Sequence, residues 1–305
     1  MADALTIELP IGFTARPATM DDVEAVTGLI AANEHHHTGT VNVDPDDVRA
    51  DYGRTSVDLR RDSVLVFEDG RLVAEGLVFG GRYADCSVHP DAEGRGLGSA
   101  LLRWSQEAAR RQGGATVGGT VADENLAARE LFLANGYEPA WESWILEIRH
   151  EDIPTPPELP DGVEIRPAGE GESGIVHRVI EGAFSEWGSQ RVATSYEDWS
   201  AWALGRPGFE PWMLPVLVED GEVVGAAFLI HYPNDMGWVQ QLAVRKDRRG
   251  RGHGRALLQH AFREFFLRGE RTTGLNTDSR TGARTLYEHV GMSTTHSYTH
   301  FARRL

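Results

Sequence analysis

The feature that most limits the fold of this chain is a long-range repeat. Arg16-Pro17-Ala18 returns as Arg166-Pro167-Ala168, and Val66-Phe67-Glu68-Asp69-Gly70 returns as Leu217-Val218-Glu219-Asp220-Gly221. Gly94-Arg95-Gly96-Leu97-Gly98 returns as Gly250-Arg251-Gly252-His253-Gly254, and the Ala128, Leu131, Phe132, Gly136 set returns as Ala283, Leu286, Tyr287, Gly291. The order is kept, and each pair lies roughly 150 residues apart, the length of a domain rather than of a solenoid unit. The 305 residues therefore read as a duplicated domain: an N-terminal copy over 1–150, a linker over 151–162 and a C-terminal copy over 163–305. Within the linker, Ile153-Pro154-Thr155-Pro156-Pro157-Glu158-Leu159-Pro160-Asp161-Gly162 can form neither helix nor central strand, because proline removes the backbone donors both need.

Both copies show one succession of elements. A strand near Phe13–Arg16, or near Val163–Arg166, precedes an amphipathic helix near Asp21–Ala32, or near Ser173–Phe184. Asp69-Gly70 and Asp220-Gly221 each separate two β-rich runs, which predicts tight hairpins. A further strand follows, Ala84–Val88 or Trp238–Val244, then a glycine loop, then a helix with apolar spacing over Ala100–Arg111 or Ala256–Leu267. A strand, a short helix and a last strand, near Trp144–Ile148 or Ser297–Ala302, close each copy. The expected class is mixed α/β: a mostly antiparallel sheet flanked by helices, built twice.

Composition removes several functions. The net charge is −16, so no basic face is expected for nucleic acid. An acidic surplus suits a cationic partner such as an amine, although it also simply keeps a protein soluble. No run of about 18 apolar residues suggests a membrane span, and Met1–Pro10 lacks the basic start of a signal peptide. The single cysteine, Cys86, allows no internal disulfide and no multi-cysteine metal site. A cytoplasmic location is expected, as monomer or homodimer.

The segment Arg249-Gly250-Arg251-Gly252-His253-Gly254-Arg255 sits between a strand and a helix. Glycines let backbone approach a ligand closely, and the N-terminus of the helix favours an anion. A P-loop would continue with Gly-Lys-Ser/Thr, whereas Gly254 leads to Arg255-Ala256. The dinucleotide pattern Gly-x-Gly-x-x-Gly fails in both registers, meeting Arg255 or Leu257 at its third glycine. What remains is Arg-x-x-Gly-x-Gly after a strand ending Leu242-Ala243-Val244.

That pattern resembles the acetyl-CoA loop of the GNAT acetyltransferases. The resemblance implies that Leu242, Ala243 and Val244 meet the pantetheine arm, and that Arg249, Gly250, Arg251, Gly252, His253, Gly254 and Arg255 meet the pyrophosphate. It also implies acetyl-CoA as cosubstrate, no metal, and a small-molecule amine as acceptor. A non-catalytic acyl-CoA sensor and a protein or peptide N-acetyltransferase are the alternatives. In the first copy the same resemblance points to Ser87, Val88, Gly94, Arg95, Gly96 and Gly98, but Glu93 stands where the family has glutamine or arginine. A carboxylate beside a pyrophosphate is repulsive.

Acetyl transfer to an amine needs a proton returned to the leaving thiolate. Ala283-Arg284-Thr285-Leu286-Tyr287-Glu288-His289-Val290-Gly291-Met292 is similar to the family's Ala-x-x-Leu-Tyr-Glu-x-x-Gly-Phe, which implies Tyr287 as general acid. The first copy has Phe132 there, with no proton to give, so it is expected to be catalytically degenerate. An intact second copy behind a degenerate first resembles the mycothiol synthases in layout. Those enzymes carry a glutamate at the start of the coenzyme strand, where this chain reads Gly237-Trp238-Val239.

No base can be read from the sequence. Glu186, Trp187, His231 and Asp235 are candidates for the acceptor side, and strand alternation should turn either Gln240 or Gln241 toward the site. The run His35-His36-His37 is not expected to bind metal, because adjacent helical histidines point apart and no carboxylate pattern completes a site. Cys86 is expected to be a buried apolar residue. Trp199, Trp202 and Trp212 are expected in a core or a pocket wall.

Overall fold

The computed structural model describes residues 7–187, 193–232 and 236–305. In chain order the elements of the first repeat are β1 (Phe13–Arg16), α1 (Val23–Thr38), α2 (Pro45–Tyr52), α3 (Leu59–Asp62), β2 (Ser63–Glu68), β3 (Arg71–Phe79), β4 (Tyr83–Val88), α4 (Leu97–Arg111), β5 (Thr116–Ala122), α5 (Leu126–Ala134) and β6 (Glu138–Arg149). The second repeat supplies β7 (Val163–Pro167), α6 (Ser173–Phe184), α7 (Tyr196–Ala203), β8 (Pro215–Glu219), β9 (Glu222–Tyr232), β10 (Met236–Val244), α8 (His253–Leu267), β11 (Thr272–Asp278), α9 (Arg284–His289) and β12 (Ser293–Arg304). The mixed α/β class with a largely antiparallel sheet in each repeat is borne out.

Local chemistry explains the duplicated start. Arg16 donates to both Asp22 carboxylate oxygens, at 2.8 and 2.6 Å. Arg166 does the same to Glu172, at 2.7 and 2.9 Å. Each carboxylate is the N-cap residue of the helix that follows, α1 or α6, where negative charge meets the positive end of the helix dipole. The arginine bonds hold both carboxyls down at about 2. The hairpins form as the sequence predicts: Asp69 and Gly70 have φ of 48° and 81°, and Asp220 and Gly221 have 52° and 83°. Two successive positive φ values make the tight turn that matches strand twist.

The compact units do not follow the repeat boundary. One unit runs to Glu142 and takes back His296–Leu305, and the other is Ser143–Thr295. The first unit's sheet therefore closes with β12, whose Tyr298–Arg304 pairs antiparallel with Ala122–Thr116 of β5. The second unit's sheet closes with β6, whose Ser143–Arg149 pairs antiparallel with Asp278–Thr272 of β11. This corrects the division at 150 and 163: the closing strands are exchanged. The physical reason is the duplication itself, since matching sheet edges accept each other's strands at little cost. Phe301 of β12 fills the first unit's core, and Leu146 of β6 fills the second's. Residues 153–160 carry neither helix nor strand, and Arg263 of α8 fixes that stretch by donating to the Pro154 carbonyl at 2.8 Å.

In the first unit α4 packs its apolar face, including Leu101 and fully buried Trp104, on Val64, Val66 and Val78 of the sheet. In the second, α8 lays Leu258, Phe262 and Phe265 on the sheet around Leu229 and Val239. Each buried aromatic of this size contributes a few kcal/mol. Trp199 and Trp212 are core residues, and Trp202 packs against the core edge to face with Phe228, centroids 5.4 Å apart.

Candidate active site

The strand order of each unit opens a wedge. In the second unit β10 pairs in parallel with β11 from Met236–Thr272 to Val239–Leu275, and there that ladder ends. The register of β10 shifts between Val239 and Gln241, after which Gln241–Val244 continue along β9 from Phe228 to Gly225. Meanwhile β11 continues along β6 to Asp278. Beyond Gln240 the two parallel strands diverge, and the β10 backbone offers N–H and C=O groups to an extended ligand laid in the gap. In the first unit the parallel ladder is shorter still, a single pair between Tyr83 and Gly118, while Ala84–Val88 stay on β3.

A glycine loop stands at the head of each wedge. Gly250 and Gly252 have φ of 77° and 84°, and Gly94 and Gly96 have 71° and 88°. A Cβ on Gly250 or Gly252 would meet nothing within 4 Å, so the backbone torsion, not crowding, demands glycine. Gly252 and Gly96 cap α8 and α4, whose first N–H groups have no intrahelical acceptor. Gly98 works differently: it lets the helix approach Leu131, whose methyl would lie 2.7 Å from an added Cβ, whereas a Cβ at Gly254 would make only ordinary contact with Leu286 at 3.4 Å.

Around the second loop the charged residues are organised by acidic partners. Arg249 donates through Nε to the Val244 carbonyl at 3.0 Å and through its two terminal nitrogens to Glu186 at 3.0 and 3.2 Å. Lys246 lies 3.5 Å from the same carboxylate, and hydrogen bonding from Arg249 holds Glu186 below the usual carboxylate range. Arg251 and Arg248 converge on Glu219 at 3.0 and 2.8 Å. Arg255 is exposed on the first turn of α8. His253 is buried beneath the loop, its Nε2 making no hydrogen bond but lying 3.6 Å from Glu219 Oε1. On the strand, Leu242 is half-buried and Ala243 and Val244 are buried.

Tyr287 on α9 is 8% exposed, with its hydroxyl bonded to Thr277 of β11. Burial pushes its phenol up to about 12, against the opposing pull of Thr277. It therefore holds its proton throughout the neutral range. The first unit replaces both partners: Phe132 packs on Tyr137 and Phe301, centroids 4.9 and 5.2 Å away, and Val121 occupies the strand position of Thr277.

The acceptor-side candidates separate. Glu186 comes to the loop, where it binds Arg249. His231 pairs Gly237, toward the end of β10 away from the loop, and its Nδ1 meets the carboxylate of buried Glu270 beyond the C-terminus of α8. Since α8 spans 15 residues, about 22 Å, His231 does not join the loop. Asp235 lies outside the described residues, as does the side chain of Trp187. Of the two strand glutamines, Gln241 accepts from Trp199 Nε1 at 2.9 Å. Gly237 has a steric cause: an added Cβ would lie 2.3 Å from the Phe265 ring, so no carboxylate side chain fits there.

The first unit's wedge holds a cavity of about 590 Å³, bounded by Asp85–Val88, by Gly118–Ala122 and by the loop glycines. Asp85 is exposed on this wall, and desolvation by the surrounding protein, with Asp51 and Glu34 adding repulsion, pushes its carboxyl up to about 6. Cys86 lines the same wall, and burial pushes its thiol well up. Tyr298, brought in by the exchanged strand, lines it too. Sequence reasoning missed Asp85, Thr277 and Tyr298. The first two could have been found by aligning the diverging strands of the repeats, but Tyr298 is hidden by the exchange. Arg95, assigned to an anion, instead pairs with Glu68 and lies over the Phe13 ring at 4.8 Å.

The histidine run also differs from expectation. His36 and His37 meet edge to face, centroids 4.7 Å apart, and His37 Nε2 lies 2.8 Å from Glu93 Oε1. The carboxylate comes from the loop, far off in sequence, which local spacing could not reveal.

Comparison with known proteins agrees with this geometry. Residues 176–292 match the acetyltransferase (GNAT) family and residues 60–139 an acetyltransferase (GNAT) domain. A mycothiol acetyltransferase of Thermomonospora curvata is 30% identical over 224 residues, 70% of this chain and 71% of that one. A GCN5-related N-acetyltransferase from Sphaerobacter thermophilus is 29% identical with a TM-score of 0.80, covering 97% of both chains. A tandem GNAT protein from the clavulanic acid biosynthesis pathway shares the fold, at 19% identity and a TM-score of 0.74 over 96% of this chain and 98% of that one. No helix among the described residues is long and apolar enough to cross a membrane.

Proposed function

Because the chain belongs to the GNAT family of acetyl-CoA-dependent N-acetyltransferases, we propose that its second unit moves the acetyl group of acetyl-CoA to a primary amine of a small-molecule acceptor. The coenzyme arm lies along Leu242, Ala243 and Val244. Its diphosphate meets the amides of Gly250–Gly254 with Arg249, Arg251 and Arg255 nearby. The acceptor's neutral amine attacks the thioester carbonyl, the C–S bond breaks, and Tyr287 gives its proton to the departing thiolate. The amine's proton leaves to solvent or an acceptor-side group, and Tyr287 is reprotonated in turn. Similarity to mycothiol acetyltransferases supports a small-molecule acceptor.

The observation that carries this reading is the buried, protonated Tyr287 hydroxyl beside the diverging strand, set against Phe132 at the matching place. A hydroxyl positioned to protonate a leaving group contributes about 10²–10⁴-fold. Tyr287→Phe should therefore lower acetyl-CoA thiol release with a reactive amine at least about tenfold and leave coenzyme affinity intact. Unaltered turnover in that variant removes the assigned acid. In the first unit, Ser87, Val88, Gly94, Gly96 and Gly98 frame a second coenzyme site in the cavity, Arg95 being turned to Glu68, with no acid at position 132 and hence no transfer.

A further inference from the structure

The end of α1 carries a chemistry that acetyl transfer does not use. The ligand atoms of His36, His37 and Glu93 all lie within 4.8 Å of one another. We propose that these three residues form a binding site for a divalent transition-metal ion, of the zinc class, on the rim of the first unit's cavity.

The donor set selects the ion. Two imidazoles and one carboxylate suit zinc, cobalt, nickel or copper rather than the all-oxygen cages of magnesium or calcium. Three protein ligands leave a fourth position for water. The spacing is close to what is required: ligands about 2.0–2.1 Å from a tetrahedral zinc lie roughly 3.3–3.4 Å from each other. Binding would open the His37–Glu93 hydrogen bond, now 2.8 Å, by about 0.5 Å and would draw the exposed His36 ring inward by rotation.

The scaffold beneath the ligands is fixed. Asn33, one turn before His37, donates to the Val88 carbonyl of β4 at 2.9 Å. Glu34 accepts from the backbone N–H groups of Asn42 and Val43 at 2.7 and 3.0 Å, fastening the chain that leaves the helix. Gly39, at φ 75°, ends α1 with its N–H bonded to the His35 carbonyl. The helix end is thus tied to β4 on one side and to its exit segment on the other, which limits the reorganisation that binding requires.

The position also gives the ion a consequence. Glu93 directly precedes the glycine loop, where its charge opposes an incoming diphosphate. A cation held by Glu93 cancels that opposition, which bears on the coenzyme reading of the first unit.

The test uses the intact chain, stripped with chelator, and zinc chloride alone in a calorimeter, with cobalt absorption as a second readout. No coenzyme is present, so failure here leaves the coenzyme reading standing. The expected result is one equivalent bound in the micromolar range. His36→Ala and Glu93→Gln should each weaken binding at least about tenfold, and His35→Ala, in the same histidine run, should not. Circular dichroism checks that each variant is folded. Absence of saturable binding below millimolar zinc overturns the site. So does unchanged affinity in Glu93→Gln, which would reduce the cluster to surface histidines.

Discussion

The guanidinium of Arg249 is held by Glu186 from one side and by the Val244 carbonyl from another. A diphosphate arriving at the loop has to compete with the carboxylate or share the arginine with it. Both groups are partly exposed, so solvent screens the pair and it contributes little to stability. Its removal should nevertheless help the coenzyme, because a carboxylate at the loop also repels the phosphates. Glu186→Gln is expected to lower the CoA dissociation constant by roughly two- to tenfold, measured by calorimetry at low salt, with the gain shrinking as ionic strength rises. Equal or weaker affinity would place Glu186 on the acceptor, as its sequence position suggests, rather than in competition with the phosphates. Local placement was legible where a motif carries it: Gly250 and Gly252 take left-handed torsions at the loop, Arg249 sits at its head and Tyr287 lies on the following short helix. Residues whose partners come from elsewhere were not, and Thr277 beneath Tyr287 and Glu93 beside His37 are the examples.

At the scale of elements, the strand exchange makes residue number a poor guide to where a mutation acts. Phe301 lies four residues from the C-terminus, yet it is 1% exposed in the first unit's core, against Phe132. Leu146, within the first repeat, is fully buried in the second unit. Truncating a buried Phe or Leu to Ala costs about 2–5 kcal/mol. Phe301→Ala should therefore speed hydrogen exchange in β2–β5 and leave β8–β11 protected, whereas Leu146→Ala should do the reverse. Exchange that follows the repeat boundary instead would mean that each repeat closes with its own strand. The elements themselves were largely readable. β1 matches its expected span, and both hairpins turn on Asp-Gly. The short helices α2 and α7 were not anticipated: α2, Pro45–Tyr52, begins with a proline and two aspartates and buries only Val48 and Tyr52, too few apolar positions for a periodic signal. Partnering was not readable, since β6 and β12 are strands of equal length, 12 residues each, and periodicity alone does not say which edge a closing strand joins.

For the whole molecule, duplication leaves two wedges with different equipment. Each keeps a positive-φ glycine at its helix cap, Gly96 or Gly252, so each retains the backbone geometry for an anion. Only the second keeps a phenol at the acid position. The first has instead an apolar pair, Phe132 and Val121, and a cavity whose wall carries Asp85. On the proposed assignment of Tyr287 as the acid, the first wedge lacks the donor and keeps the glycine loop. Valine at a left-handed cap position costs about 1–3 kcal/mol of local strain and reshapes the loop without entering either core, because a Cβ at Gly252 meets nothing within 4 Å and at Gly96 only Pro10, at 3.4 Å. The intact chain should bind two CoA molecules, and Gly96→Val and Gly252→Val one each. Turnover should vanish with Gly252→Val and persist within about twofold with Gly96→Val, since the two loops lie in separate units and their effects are independent. One CoA per chain before mutation would make the first wedge a relic of folding, and loss of turnover in Gly96→Val would show that the second unit depends on what the first one holds.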